Sequence, residues 1–369
     1  MSTPTVGMAI VLGTRPEIIK MSPVVRECQR RELDFLIIHT EQHHKFAMDR
    51  VFFEDLELPE PQYRLGIGQG AHGVQTGRLL QSIEEVLLAR SPDAVLVQGD
   101  TNTVLAGALA AAKLHIPVGH VEAGLRSYDR RMPEELNRIL ADHAADLLFA
   151  PTGQARDILL SEGIDAGKVH VTGNTIVDAV QQNLTIAQSR NQPLTAHSLT
   201  AGSYIVVTAH RPENVDHGEN LRSLLASVAA VRRETGLEII YPLHPRTESK
   251  LKQFGLPVPE EIRIIEPLGF LDFLQLEAQA ALILTDSGGI QEEACILQVP
   301  CVTLRDSTER PETVAVGANV LAGILPQGVL RGVRDMLGKD RSWPNPFGDG
   351  HSAGRIVDIV ISSAPGNTP

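Results

Sequence analysis

The sequence predicts an α/β protein made of two doubly wound, Rossmann-like domains with a cleft between them. Three observations carry this. Short runs rich in Val, Ile and Leu alternate with amphipathic segments of helical length. Most of the runs are continuous rather than alternating, the pattern of strands covered on both faces in parallel sheets. The rhythm breaks once, at the polar stretch 181–203, which parts the runs into two sets of about five.

Taken in order, the first set predicts strands at Val6–Leu12, Asp34–His39, Ala94–Gln98, Val118–Val121 and Leu147–Ala150. The second predicts Tyr204–Thr208, Glu238–Leu243, Ile262–Ile265, Ala281–Thr285 and Cys301–Leu304. The expected organisation is an N-terminal domain over 1–180, a connector over 181–203 and a C-terminal domain over 204–350. Residues 351–369 then supply a terminal helix and a loose tail. A chain of 369 residues fits two or three domains. It is long enough to bury a sizeable core without metal or disulfide staples.

Composition narrows the function. Apolar residues make up 43% and charged ones 21%, ordinary globular usage that excludes general disorder. With 45 acidic against 33 basic residues the net charge is −12, so no nucleic-acid or anionic membrane partner is expected. An anionic ligand would have to be held by local cations and helix ends. Three cysteines, an odd count without CxxC, read as reduced thiols in a cytoplasmic protein. The opening MSTPTVGMAIVLG has no basic n-region, so it does not read as a signal peptide. No run approaches the ~18 apolar residues of a membrane span.

The chemistry collects just after strands, where an open α/β sheet presents ligands. GTRPEIIK after the first strand offers a tight turn, Pro16 at a helix start, and Arg15 and Lys20 for an anion. QGDTNTVLAG puts Asp100 at a strand-to-helix turn, where Asp100, Thr101 or Asn102 could cap. HVEAGLRSYDRRMPEELNR supplies Glu122 and Arg126, a loop holding Asp129, Arg130 and Arg131, then Glu134 and Glu135 in a first helical turn. Glu134 could be a helix-dipole charge or an i,i+4 partner of Arg138 instead of a functional group. TAHRPENVD places His210 at a strand end, and His244 occupies the equivalent place after the next strand.

The strongest segment is LTDSGGIQEEACILQVPCV. Asp286 or Ser287 caps, Gly288 and Gly289 let backbone amides approach a phosphate, and Glu293 one turn on can accept from a ribose diol. Arg305 and Arg310 add cations beyond the next strand. Together these suggest a nucleoside diphosphate ligand. No metal-ligand spacing and no GxGxxG follows a strand, so neither a metal nor a nicotinamide cofactor is expected. The residues alone leave glycosyl transfer and isomerisation both open.

GTRPEIIK, QGDTNTVLAGALAA, HVEAGLR, MPEELNR, TAHRPEN, DSGGIQEEA and RDSTERPE occur in the order and spacing of the non-hydrolysing UDP-N-acetylglucosamine 2-epimerases. The chain resembles that family over about residues 7–325. The resemblance implies the glycosyltransferase-B fold, no cofactor, a homodimer, and a role in cell-surface polysaccharide synthesis. It implies inversion at C-2 by elimination of UDP to an enzyme-bound 2-acetamidoglucal, followed by re-addition.

By the same resemblance Asp100, Glu122, Glu134 and His210 carry the acid–base work. Arg15, Lys20, Asp100, Glu122, His210, Ser287, Gly288, Gly289, Glu293 and Arg310 hold the UDP-sugar, and Phe273 faces the uracil. Two segments depart from the common pattern. TEQHHKFAMD keeps the Gln42–His43 pair that helps some members bind a second, activating substrate molecule, but GIGQGAHGVQT has no Arg in the expected place. The SYDRRMPEE loop resembles members acting on UDP-diacetamido uronic acids, the alternative substrate; a glycosyltransferase of the same fold is the other alternative.

Overall fold

The computed structural model describes residues 7–42, 46–190 and 192–363. Val6, His43 and the tail beyond Ser363 lie outside the described residues. The chain forms two compact units, Met1–Gln182 with Phe347–Pro369, and Asn183–Pro346.

The first unit holds seven strands: β1 (Met8–Leu12), β2 (Phe35–His39), β3 (Tyr63–Arg64), β4 (Ala94–Gln98), β5 (Val118–Val121), β6 (Leu147–Ala150) and β7 (Val169–Val171). All pair parallel in the order β3-β2-β1-β4-β5-β6-β7. The second unit holds β8 (Tyr204–Thr208), β9 (Glu238–Pro242), β10 (Ile262–Ile265), β11 (Leu282–Thr285), β12 (Cys301–Thr303) and β13 (Asn319–Leu321). They run parallel as β10-β9-β8-β11-β12-β13. Each sheet therefore has the doubly wound Rossmann order, reversing direction between its first and fourth strands. Those reversals, β1/β4 and β8/β11, are where such sheets bind ligands.

The continuous apolar runs follow from this layering. β1 is buried at every residue, because helices cover both faces of its sheet. The sequence does not reveal β3, β7 and β13. All three are edge strands of two or three residues, half-exposed, with no continuous apolar run to mark them.

The two units divide inside the helix Thr175–Arg190, so residues 183–203 belong to the second unit and include the short helix Pro193–Ala196. The expected connector is thus largely helical. The terminal helix Ser352–Ser363 belongs to the first unit and packs on the helix Arg15–Arg30. Its start is fixed by Asp178, which accepts from the Ser352 and Ala353 backbone amides at 3.2 and 3.0 Å. Arg31 pairs with Asp358 at 2.5 Å.

Candidate active site

In the first unit the charged groups gather at the β1/β4 reversal and the neighbouring end of β5. β1 is followed by Gly13, where a Cβ would lie 2.2 Å from Thr103 Oγ1. Only glycine lets the turn pass that close. Glu17, in the first turn of the helix Arg15–Arg30, accepts from the Gly13 and Thr14 amides and so holds this turn. Burial pushes its carboxyl up to about 7, against hydrogen bonds from Thr101, Gly13 and Thr14 that favour the charge. Arg15, from the same turn, lies with its guanidinium 4.9 Å from the centre of the Phe52 ring.

Glu122 follows β5 and is 8% exposed. Its backbone sits at φ 69°, a left-handed conformation that costs a non-glycine residue about 1–2 kcal/mol. Lys20 Nζ donates to its Oε1 at 2.5 Å, and Gln98 Nε2, from the end of β4, donates to its other oxygen. Lys20, expected on a phosphate, is therefore spent on Glu122 in this structure.

Asp100 lies beyond β4. Thr101 caps the helix Asn102–Lys113, accepting from Val104 N at 3.4 Å, so Asp100 is not needed as a cap. Its carboxylate instead pairs with Arg138.

Glu134 and Glu135 begin the helix Pro133–Ala144 and part company there. Glu135 is 1% exposed and accepts from Ser127 N at 2.8 Å, Ser127 Oγ at 2.9 Å and Tyr128 N at 2.9 Å. Arg138 pairs with it at 3.0 Å. Burial works against its charge, yet these donors hold its carboxyl below the usual range. Glu135 is a structural clamp on the loop. Glu134 is half-buried and makes no ion pair among the described residues; the expected Glu134–Arg138 pair does not form, because Arg138 is engaged by Asp100 and Glu135.

A buried network beneath these groups was not legible in the sequence. His120, inside β5, faces Asp142 Oδ1 at 2.7 Å and the Gly99 carbonyl at 2.8 Å, one acceptor for each ring nitrogen. Burial opposes the imidazolium, but Asp142, the Gly99 carbonyl and Glu122 raise its pKa overall. Asp142 also receives Gly124 N at 3.2 Å and Arg126 at 2.7 Å. Arg126 runs on to Glu162 and its side chain is 1% exposed, so it serves the fold rather than a ligand. Gly124 has φ 82°, and a Cβ there would lie 2.4 Å from the Ala155 carbonyl oxygen. The network thus fixes the backbone on both sides of Glu122 and at the residue before Asp100. A His within an otherwise apolar strand was its one visible signal.

In the second unit the groups gather at the β8/β11 reversal. Asp286, 0% exposed, accepts from His210 N at 3.0 Å, Arg211 N at 2.9 Å and Asn214 Nδ2 at 3.0 Å. It laces the end of β8 to the end of β11 and caps nothing. His210 Nδ1 lies 3.5 Å from Asp286, and its ring stacks on His244 at 5.1 Å between centres. Burial, His210 and Arg246 together lower the His244 pKa.

Ser287 precedes the helix Gly288–Ile296, and its side chain does not cap the helix. A Cβ at Gly288 or Gly289 would meet nothing closer than 3.8 Å, so the protein's own packing does not demand glycine there. Close approach of a ligand to the helix amides would. Glu293 is 9% exposed on this helix. Arg310, expected on the diphosphate, has its Nε on Glu292. Arg305 is bound to Glu309 at 2.8 Å. Phe273 is half-buried and packs on the core cluster around Tyr204 and Cys301.

Among the described residues no three His, Cys, Asp or Glu side chains are grouped to hold a metal ion. No described helix is long and apolar enough to cross a membrane. The three cysteines are free and buried, and burial pushes the Cys28 and Cys295 thiols up to about 12.

Two Rossmann-ordered sheets, each with its polar and charged groups at the strand reversal, define a two-unit α/β enzyme of the glycosyltransferase-B type. A family model described as UDP-N-acetylglucosamine 2-epimerase matches residues 26–361. A Methanococcus maripaludis protein named UDP-N-acetylglucosamine 2-epimerase is 55% identical over 360 residues, covering 96% of this chain and 98% of the relative. A crystal structure of Methanocaldococcus jannaschii UDP-GlcNAc 2-epimerase, in complex with UDP-GlcNAc and UDP, matches at 54% identity and TM-score 0.84, covering 96% of this chain and 99% of that one. A Pseudomonas aeruginosa protein named UDP-2,3-diacetamido-2,3-dideoxy-D-glucuronate 2-epimerase is 42% identical, covering 95% of this chain and 98% of the relative. The chain belongs to the UDP-N-acetylglucosamine 2-epimerase family.

Proposed function

We propose that this chain interconverts UDP-N-acetylglucosamine and UDP-N-acetylmannosamine by elimination and re-addition of UDP. The sugar follows the 54–55% relatives rather than the 42% relative named for a diacetamido uronate. The observation that carries the chemistry is Glu122. A buried carboxylate in a left-handed backbone, held by the Lys20 and Gln98 side chains at a strand end, is costly, and the backbone ladder of the sheet does not use its side chain.

The C-2 hydrogen is not acidic, since no carbonyl adjoins it. A base removes it as the bond from C-1 to the diphosphate oxygen breaks, the electron pair forming the C-1–C-2 double bond of the glucal. An acid then protonates C-2 from the opposite face, and UDP oxygen re-adds at C-1. Asp100, Glu122 and Glu134 supply the proton-transfer groups from the first unit. His210 supports departure of the diphosphate from the second.

Ser287, Gly288 and Gly289 bind the phosphates through helix amides, Glu293 accepts from the ribose diol, and Phe273 lies against the uracil. Arg15, Lys20 and Arg310 complete the binding set, with Lys20 also balancing Glu122 and Arg310 needing to leave Glu292 to reach a phosphate. We further assign the enzyme to the cytoplasm, as a homodimer supplying a precursor of cell-surface polysaccharide.

Incubation with UDP-N-acetylglucosamine alone tests the reading. Appearance of the manno epimer supports it. Free UDP without epimer, or no reaction, contradicts it.

A further inference from the structure

Glu277, in the helix Phe270–Ala278, is 0% exposed, and neither of its carboxyl oxygens meets a donor in the described protein. What faces it is the Glu293 carboxyl from the helix Gly288–Ile296, and the Cys301 thiol of β12 lies within reach of its charge. No cation is among the groups acting on Glu277. Two facing carboxyls in a buried place cannot both be ionised, so the pair keeps one proton. Glu277 is the more buried, at 0% against 9% for Glu293, so the proton resides there. Burial, then the charge and hydrogen bond of Glu293, push the Glu277 carboxyl well above the usual range. Cys301 is also buried and neutral, its thiol pushed up chiefly by burial. A protonated carboxyl has one O–H to give, and Glu293 is the acceptor at hand.

We propose that Glu277 is a positioning residue: protonated, it donates a hydrogen bond to Glu293 and sets the Glu293 carboxylate to accept from the ribose diol of a uridine nucleotide. The inference rests on the assignment of Glu293 to the ribose. The hydrogen bond removes the side-chain freedom of Glu293 before the nucleotide arrives and keeps a single negative charge on the pair. Ionisation of Glu277 as the pH rises places two like charges together and weakens the grip on the diol.

The test is calorimetric titration of the full chain with UDP and with 2′-deoxy-UDP, at neutral and alkaline pH, alongside melting temperatures. Glu277→Leu removes the donor and should weaken UDP by about tenfold, one hydrogen bond's worth, while hardly changing 2′-deoxy-UDP. Glu277→Gln returns an N–H donor and should restore most of the preference for UDP. Because the amide does not titrate, it should also abolish the alkaline loss seen in the parent. A Glu277→Leu chain that keeps the parental ratio between the two nucleotides overturns the proposal. So does equal weakening of both with a lowered melting temperature, which marks Glu277 as a fold residue only. A parent chain that binds UDP without distinguishing the two nucleotides removes Glu293 from the ribose, and the proposal with it.

Discussion

Glu134 and Glu135 are adjacent carboxylates with opposite expected roles, and substituting each separates chemistry from architecture. Glu134 starts a helix, half-buried, and Arg138 is turned away from it toward Asp100 and Glu135. Glu134→Gln therefore breaks no ion pair. Its stability cost is the helix-dipole interaction alone, about 0.3–1 kcal/mol, or roughly 1–4 °C in melting temperature for a unit of this size. If Glu134 transfers a proton, kcat should fall by about 10²–10⁴-fold. Glu135 presents the reverse case. Its removal strands three donors from Ser127 and Tyr128 and the Arg138 guanidinium. Breaking such a buried charged cluster costs about 3–5 kcal/mol, so Glu135→Ala should lower the melting temperature by at least roughly 6–12 °C. Scanning calorimetry and initial rates with UDP-N-acetylglucosamine report the two quantities independently. A Glu134→Gln chain with near-normal kcat would refute the assignment and leave Glu134 as a helix-end charge.

Three further outcomes are expected. Asp100→Asn and Glu122→Gln should each lose about 10²–10⁴-fold in kcat with far smaller changes in UDP affinity, whereas Glu293→Gln should raise KM more than it lowers kcat. Glu17 has its carboxyl raised from 4.5 to about 7, so its contribution is fully present below about 4.5 and lost as pH rises through 7. That shift amounts to about 3 kcal/mol. Glu17→Gln should accordingly gain stability relative to the parent between pH 5 and 8; melting curves that run parallel across that range would disprove it. Gly124→Ala forces a Cβ against the Ala155 carbonyl at φ 82°, and should cost at least about 2 kcal/mol in chemical denaturation.

The two doubly wound α/β domains were legible because buried parallel strands leave continuous apolar runs, as in MAIVL and YIVVT. The short edges were not: β3 is Tyr63–Arg64, too brief and too exposed to carry a pattern. The candidate site was legible to the extent that its residues follow strands. What the sequence hid is which charges cancel one another. Arg126 stands among the charges that follow β5 in HVEAGLR, but its side chain is buried against Asp142 and Glu162. Lys20 and Arg310 look like phosphate ligands but rest on Glu122 and Glu292. Such pairings join residues 16 to 102 positions apart, and only the folded chain brings them together. Glu277 shows the same blindness from the other side. It sits in an ordinary-looking helix, and its burial against Glu293 has no trace in local spacing.

The central claim is that inversion proceeds by removing and returning the proton at C-2. Incubating the enzyme with UDP-N-acetylglucosamine in deuterium oxide and reading C-2 by proton NMR tests it most directly. UDP-N-acetylmannosamine carrying deuterium at C-2 is the predicted product. Epimer formed with its original C-2 proton retained would contradict the account.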